Sequence, residues 1–136
     1  MLYTQCGKGA PLIFDTDILI WVLRGNTKAA QAVEKAESRF ISIVNYMELL
    51  QGSRSRKETH LIKAFLSDAG LIMLPLSETI GHRASIYVEE YGLGSGLCLA
   101  DALIAATAVE HGLALCTGND KHFRPVKDIA IKVFRS

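Results

Sequence analysis

LADALIAATAVEHGLALCTGND, residues 99–120, holds a helix, its stop signal and a strand in one continuous run. Leu99 to His111 is Ala-rich and strongly helical, because alanine orders no side chain when a helix forms. Gly112 closes the helix, since glycine takes the left-handed cap conformation without strain. Leu113 to Cys116 is a short apolar run, the form a strand takes when both its faces are covered. Thr117-Gly118-Asn119-Asp120 then supplies turn residues.

The same alternation extends outward in both directions. Pro11 to Phe14 is a first buried strand, ended by Asp15-Thr16-Asp17. A helix carrying Ile18, Leu19, Trp21, Val22 and Leu23 stops at Gly25-Asn26, and Thr27 caps another that runs to about Glu37. Phe40 to Ile43 reads as a second strand. Ser42 or Asn45 caps the next helix, which carries Tyr46, Leu49 and Leu50 and ends at Gly52. Ser53 to Lys57 is a polar turn, and His60 to Leu66 is helical. Leu71 to Pro75 is a third strand, and Ser77-Glu78-Thr79 opens a helix through about Tyr91. Gly92 to Gly96 reads as a flexible loop. After the strand at Leu113, Ile129 to Phe134 is a fifth strand, expected at an edge. Short apolar strands alternating with helices predict an α/β domain: a parallel sheet of about five strands with helices on both faces. The domain is expected over residues 11–136, with 1–10 an extension ahead of the first strand.

A chain of 136 residues suits one domain able to bury its own core. The net charge of +1 does not announce a nucleic-acid partner, so any such partner must be held by a local patch or through metal ions. Candidate patch residues are Arg24, Lys28, Arg54, Arg56, Lys57, Lys121 and Arg124. Cys6, Cys98 and Cys116 show no paired spacing, which excludes a disulfide framework and a zinc knuckle and suits free thiols in a reducing cytoplasm. No apolar run reaches the roughly 18 residues that a membrane span needs, and no secretory leader pattern is seen.

Ligands in open α/β sheets bind outside the carboxyl ends of the strands. Asp15 and Asp17 follow the first strand, Glu48 lies on the helix after the second, Asp101 opens the Ala-rich helix, and Thr117, Asn119 and Asp120 follow the fourth strand. Acids gathered beside apolar runs repel one another and lose hydration, a cost that a cation among them offsets. Oxygen-only ligands suit Mg2+ or Mn2+ rather than zinc, and such ions promote phosphodiester hydrolysis. Each acid also has a purely structural reading. Asp15 and Asp17 can cap a helix, Asp101 can complement a helix dipole, Glu48 can be solvated, and 117–120 can be a simple turn capping a short helix. Their joint placement favours chemistry. His60, His82 and His111 have no partner spacing, and Gly92 to Gly96 lacks the strand that precedes a phosphate-binding loop.

Four segments then resemble the PIN-domain ribonucleases, specifically the toxins of bacterial VapBC toxin–antitoxin systems: IFDTDILI at 13–20, ISIVNYMELLQG at 41–52, residues 99–120, and KHF at 121–123. The resemblance implies a metal-dependent endoribonuclease with Asp15, Glu48 and Asp101 as metal ligands and Asp17 in support. It places the Thr117 hydroxyl near the metal. The family's fourth acid falls at Asn119 in this chain, with the carboxylate one residue on at Asp120. Asn119 is expected to face inward, with Asp120 as a secondary metal ligand. A homodimer and an antitoxin protein partner are also implied. Two other readings stand beside this one. A haloacid-dehalogenase-type phosphatase begins with a similar D-x-D, but needs Gly-Thr where this chain has Ile18-Leu19. A binding module that keeps the fold without the chemistry is the other, since fold does not prove activity.

Overall fold

A computed structural model describes residues 9–136. Strands β1 (Leu12–Phe14), β2 (Arg39–Ser42), β3 (Leu71–Leu74), β4 (Ala114–Thr117) and β5 (Ile131–Val133) form one sheet in the order β3-β2-β1-β4-β5. Every neighbouring pair is parallel. The chain moves outward from β1 to β3, then returns to the other side of β1 as β4. The carboxyl ends of β1 and β4 therefore flank the point where the winding reverses, which is where a crevice opens in such sheets.

Helices α1 (Thr16–Leu23), α2 (Thr27–Lys35), α3 (Ile43–Gln51), α4 (Arg56–Asp68), α5 (Glu78–Ser95), α6 (Leu99–Glu110) and the single turn α7 (Asp120–Phe123) cover the sheet. Side chains alternate across each strand. Ile13 and Leu115 thus join a core with Ile80, Ala84, Ile104 and Phe123. Leu12, Phe14 and Cys116 join the opposite core with Ile18, Leu19, Val33 and Ile62. Burial on both faces is why these strands are apolar throughout. Helix α3 serves both layers, with Val44 in one core and Leu49 in the other. In α6, Ala102, Ala105, Ala106 and Ala108 are fully buried. Their small side chains bring the helix close to its neighbours and so fix Asp101 in its first turn.

Some boundaries differ from expectation. Residues 92–95 are helical rather than loop: α5 continues through Ser95 and is capped by Gly96 at φ 69°. Gly92 and Gly94 each cost about 1 kcal/mol relative to alanine in a helix, and the packing of α5 along α6 outweighs it. Helix α4 starts at Arg56, because Ser55 accepts a hydrogen bond from the Glu58 N–H and recruits the polar stretch as its first turn. Strand β2 ends at Ser42, so Ile43 belongs to α3, and β5 is shorter than its apolar run but lies at the sheet edge. Residues 1–8, with most of the expected extension and Cys6, lie outside the described residues. Gly9 pairs with Ala36 in an isolated parallel bridge. Among the described residues no helix is long and apolar enough to cross a membrane.

Candidate functional site

Asp15 leaves β1 in extended conformation and caps α1. Its Oδ1 accepts from the Thr16 N–H at 2.9 Å, and its Oδ2 accepts from the Thr117 hydroxyl at 2.7 Å. The structural reading of Asp15 as a cap therefore accounts for one oxygen, while the other is tied to the end of β4. The residue is 6% exposed. Burial pushes its carboxyl up to about 7; the Thr117 hydrogen bond opposes the rise, and the nearby Asp17 and Asp101 charges add to it.

Asp17 sits in the first turn of α1. Its Oδ2 accepts from the Gly118 N–H at 2.9 Å, whereas its Oδ1 is buried without a hydrogen-bond partner. Burial raises this carboxyl, and the Gly118 N–H works against that rise. Asp101 is raised by burial too, with His122 acting the other way; the His122 Nδ1 lies 3.7 Å from its Oδ2.

Glu48 is placed by a relay. Ser42 and Asn45 form a reciprocal capping box at the start of α3, so both expected caps are used. The Asn45 Oδ1 accepts from the Ser42 N–H at 2.9 Å, and its Nδ2 donates to the Thr16 hydroxyl at 3.0 Å. The Thr16 hydroxyl, having accepted that bond, directs its own hydrogen to the Glu48 Oε1 at 2.7 Å. The Ser42 N–H can only donate, so it takes the Asn45 oxygen and fixes the direction of the relay.

Residues 12–129 match the PIN domain. The chain belongs to the PIN domain family. This PIN domain is 32% identical to Ribonuclease VapC10 of Mycobacterium tuberculosis over 116 residues, 82% of this chain and 85% of that protein. It is 32% identical to Ribonuclease VapC1 of Rickettsia felis over 126 residues, 88% of this chain and 93% of that one. Among solved structures, a toxin–antitoxin complex from Klebsiella pneumoniae superposes with a TM-score of 0.74 at 32% identity, covering 88% of this chain and 95% of that one.

Asn119 and Asp120 differ from the expected arrangement in this PIN domain. Asn119 is exposed and its side chain makes no capping bond; its N–H donates to the Thr117 hydroxyl at 2.9 Å. Asp120 is the buried one, at 2% exposure. Its Oδ2 accepts from Arg124 and its Oδ1 from Arg135, the latter at 3.1 Å. Burial raises the Asp120 carboxyl, but Arg135 and Arg124 outweigh it and hold it below the ordinary value. The turn after β4 starts α7 at Asp120 and swings that carboxylate toward the end of β5.

Among the described residues no three His, Cys, Asp or Glu side chains stand close enough together to enclose a metal ion as they are. Their chemistry nonetheless fits a cation. The Asp17 Oδ1 is an orphaned buried oxygen, and three neighbouring acids are raised by burial. Thr16, Asn45, His122 and Arg135 are parts of the site that sequence reasoning did not single out. Thr16 lies between two candidate acids, and Asn45 lies three residues before Glu48 at a cap, so both carried a signal. His122 carried only its place in KHF. Arg135 carried none.

Proposed function

We propose that this PIN domain is an endoribonuclease dependent on Mg2+ or Mn2+, and the toxin of a toxin–antitoxin pair. The observation that supports the reading best is the Asp17 Oδ1, a buried and unpartnered acid oxygen beside Asp15 at the winding reversal. Asp15, Glu48 and Asp101 would hold the cation, with Asp17 in support. A bound divalent cation supplies charge stabilisation to a phosphodiester undergoing in-line displacement.

The chain's own residues orient and exclude. Thr117 and Thr16 each donate a neutral hydrogen bond that aims an acid without cancelling its charge. Neither Thr117 nor Cys116 is a suitable nucleophile. The Thr117 hydroxyl is fully buried and spent on Asp15. Burial pushes the Cys116 thiol up to about 11, the Asp17 and Asp15 charges adding to the rise and Lys132 opposing it. The metal-dependent hydrolysis proposed here uses water as the nucleophile, with no covalent enzyme intermediate. The basic residues expected to hold RNA differ in freedom, since Arg54 faces Glu58 and Arg124 is engaged by Asp120.

Relatives named as VapC ribonucleases and a structural neighbour described as a toxin–antitoxin complex support the toxin role and a protein antitoxin as partner. A homodimer suits the apolar groove beside Glu48, where Met47 and Leu99 are exposed. An RNA substrate and free thiols at Cys98 and Cys116 suit the cytoplasm. Purified, partner-free protein should cut RNA with Mg2+ or Mn2+ and stop when EDTA is added. Cleavage that continues undiminished in EDTA would remove the metal from the mechanism. An absence of cleavage with either ion would favour the binding-module reading.

A further inference from the structure

We propose that Arg135 is a positioning residue for the carboxylate centre, acting through the turn that follows β4; the catalytic part of this inference rests on the nuclease reading above. The turn supplies donors to two acids: the Thr117 hydroxyl to Asp15 and the Gly118 N–H to Asp17. Within the turn itself, the Asn119 N–H donates to the Thr117 hydroxyl. Helix α7 behind it is one turn long and has no side-chain cap.

The C-terminal segment braces it from the far side. The Phe134 N–H donates to the Thr117 carbonyl at 2.9 Å. The Arg135 Nη1 donates to the Gly118 carbonyl at 3.3 Å and to the Phe134 carbonyl at 3.2 Å, while its Nη2 reaches the buried Asp120 at 3.1 Å. One guanidinium therefore ties the turn and the start of α7 to the C-terminal segment. Asp120 is the anchor, since a carboxylate this buried is costly unless it is paired.

The turn has no slack to absorb a shift. A Cβ placed on Gly118 would stand 2.9 Å from the Asp17 Oδ2 and 3.3 Å from the Phe134 carbonyl. Gly118 is wedged between the acid and the C-terminal segment, so releasing that segment moves the donor away from Asp17. Arg135 itself touches none of the acids assigned to the cation. Its side chain is 64% exposed, so a contact with the RNA backbone is the rival role that the test must separate.

The test compares wild type, Arg135→Gln, Arg135→Lys, Asp120→Asn and the double variant that combines Asp120→Asn with Arg135→Gln. Amide hydrogen exchange at Gly118 reads the positioning directly, with neither RNA nor metal present. Protection there should fall by about tenfold or more in Arg135→Gln while the central strands stay protected. Arg135→Lys should recover part of it, because an ammonium reaches Asp120 or Gly118 but lacks the fork that holds both. With RNA and Mn2+, kcat should fall by about tenfold or more at nearly constant KM, as small misplacements of catalytic groups do. The losses in the double variant should fall clearly short of the sum of the two single losses, because both changes remove one clasp, and full additivity would count against it. Unchanged Gly118 exchange would overturn the proposal. A raised KM with a weaker salt dependence at preserved kcat would make Arg135 an RNA contact instead. Lost protection in a protein whose wild type cuts no RNA would keep the positioning and reject the nuclease.

Discussion

Replacing Asp15 with asparagine should make the metal-free protein more stable at alkaline pH while abolishing its chemistry. The Asp15 carboxyl rises from 3.8 to about 7 on folding. A raised carboxyl pKa means that the folded state holds its proton more tightly than the unfolded state. No stability is lost below the unfolded value, and the loss grows as pH rises through the folded one. At about 1.4 kcal/mol per unit, the charge costs the folded state about 1.7 kcal/mol near pH 5 and about 4 kcal/mol near pH 8.

Asparagine keeps the shape and removes this dependence. Its carbonyl can still accept from the Thr16 N–H, but its amide cannot accept from the Thr117 hydroxyl as the Asp15 Oδ2 does. That mismatch costs about 1 kcal/mol at every pH. Asp15→Asn should therefore be stabilised by about 3 kcal/mol near pH 8 and by under about 1 kcal/mol near pH 5. At roughly 4 °C per kcal/mol for a chain of this size, the melting temperatures should diverge by about 10 °C between the two conditions. Thermal unfolding in EDTA across that range is the assay. Adding Mn2+ should raise the wild type and leave the variant nearly unmoved, because a ligand stabilises only a protein that binds it. A constant offset between the two proteins over the whole range would show that Asp15 ionises normally and would refute the reasoning.

Substitutions at three further positions probe the rest of the site. Asp101→Asn removes one charge from the proposed cation site and should lower RNA cleavage by about a hundredfold or more, measured with saturating Mn2+; wild-type rates would reduce Asp101 to a helix-dipole partner. Thr16→Val breaks the relay to Glu48 and strands the Asn45 amide, so it should cost about 1–3 kcal/mol in denaturant unfolding, with cleavage falling as well. Thr16→Ser should restore both, and equal damage from serine would show that the methyl group matters and the relay does not. Gly118→Ala puts a Cβ 2.9 Å from the Asp17 carboxylate, an overpacking expected to cost about 1–3 kcal/mol in unfolding. An alanine variant as stable and active as wild type would mean that the turn gives way freely.

The fold was legible because its signals are local. Doubly covered strands are apolar along their whole length, and Gly112 and Gly25 end helices where a left-handed residue is required. The glycines at 92 and 94 misled because intrinsic propensity there opposes a tertiary contact, the packing of α5 on α6, which sequence does not display. The acids at 15, 48 and 101 stood out in the sequence by their joint placement beside apolar segments. Their partners were less so, since a hydroxyl or an amide gains its role only from what it faces. The exchange at Asn119 and Asp120 was hidden for the same reason. Which of two adjacent residues is buried depends on where α7 begins and on a guanidinium 15 residues away.

The partners of the acids also separate them by use. Asp15 and Asp17 are held by uncharged donors, a hydroxyl and backbone N–H groups. Such donors orient a carboxylate while leaving its net charge in place. Burial then makes that charge costly, so both carboxyls sit above their ordinary value and gain by taking up a proton or a cation. Asp120 is as buried as Asp15, yet it is held by two guanidiniums and sits below its ordinary value. Its charge is already compensated, and a divalent cation would have to displace an arginine to use it. Burial alone does not distinguish a ligand from an anchor; the charge of the donor does. By that criterion Asp15 and Asp17 keep a charge free for the proposed cation, whereas Asp120 serves the frame that holds the turn beside them.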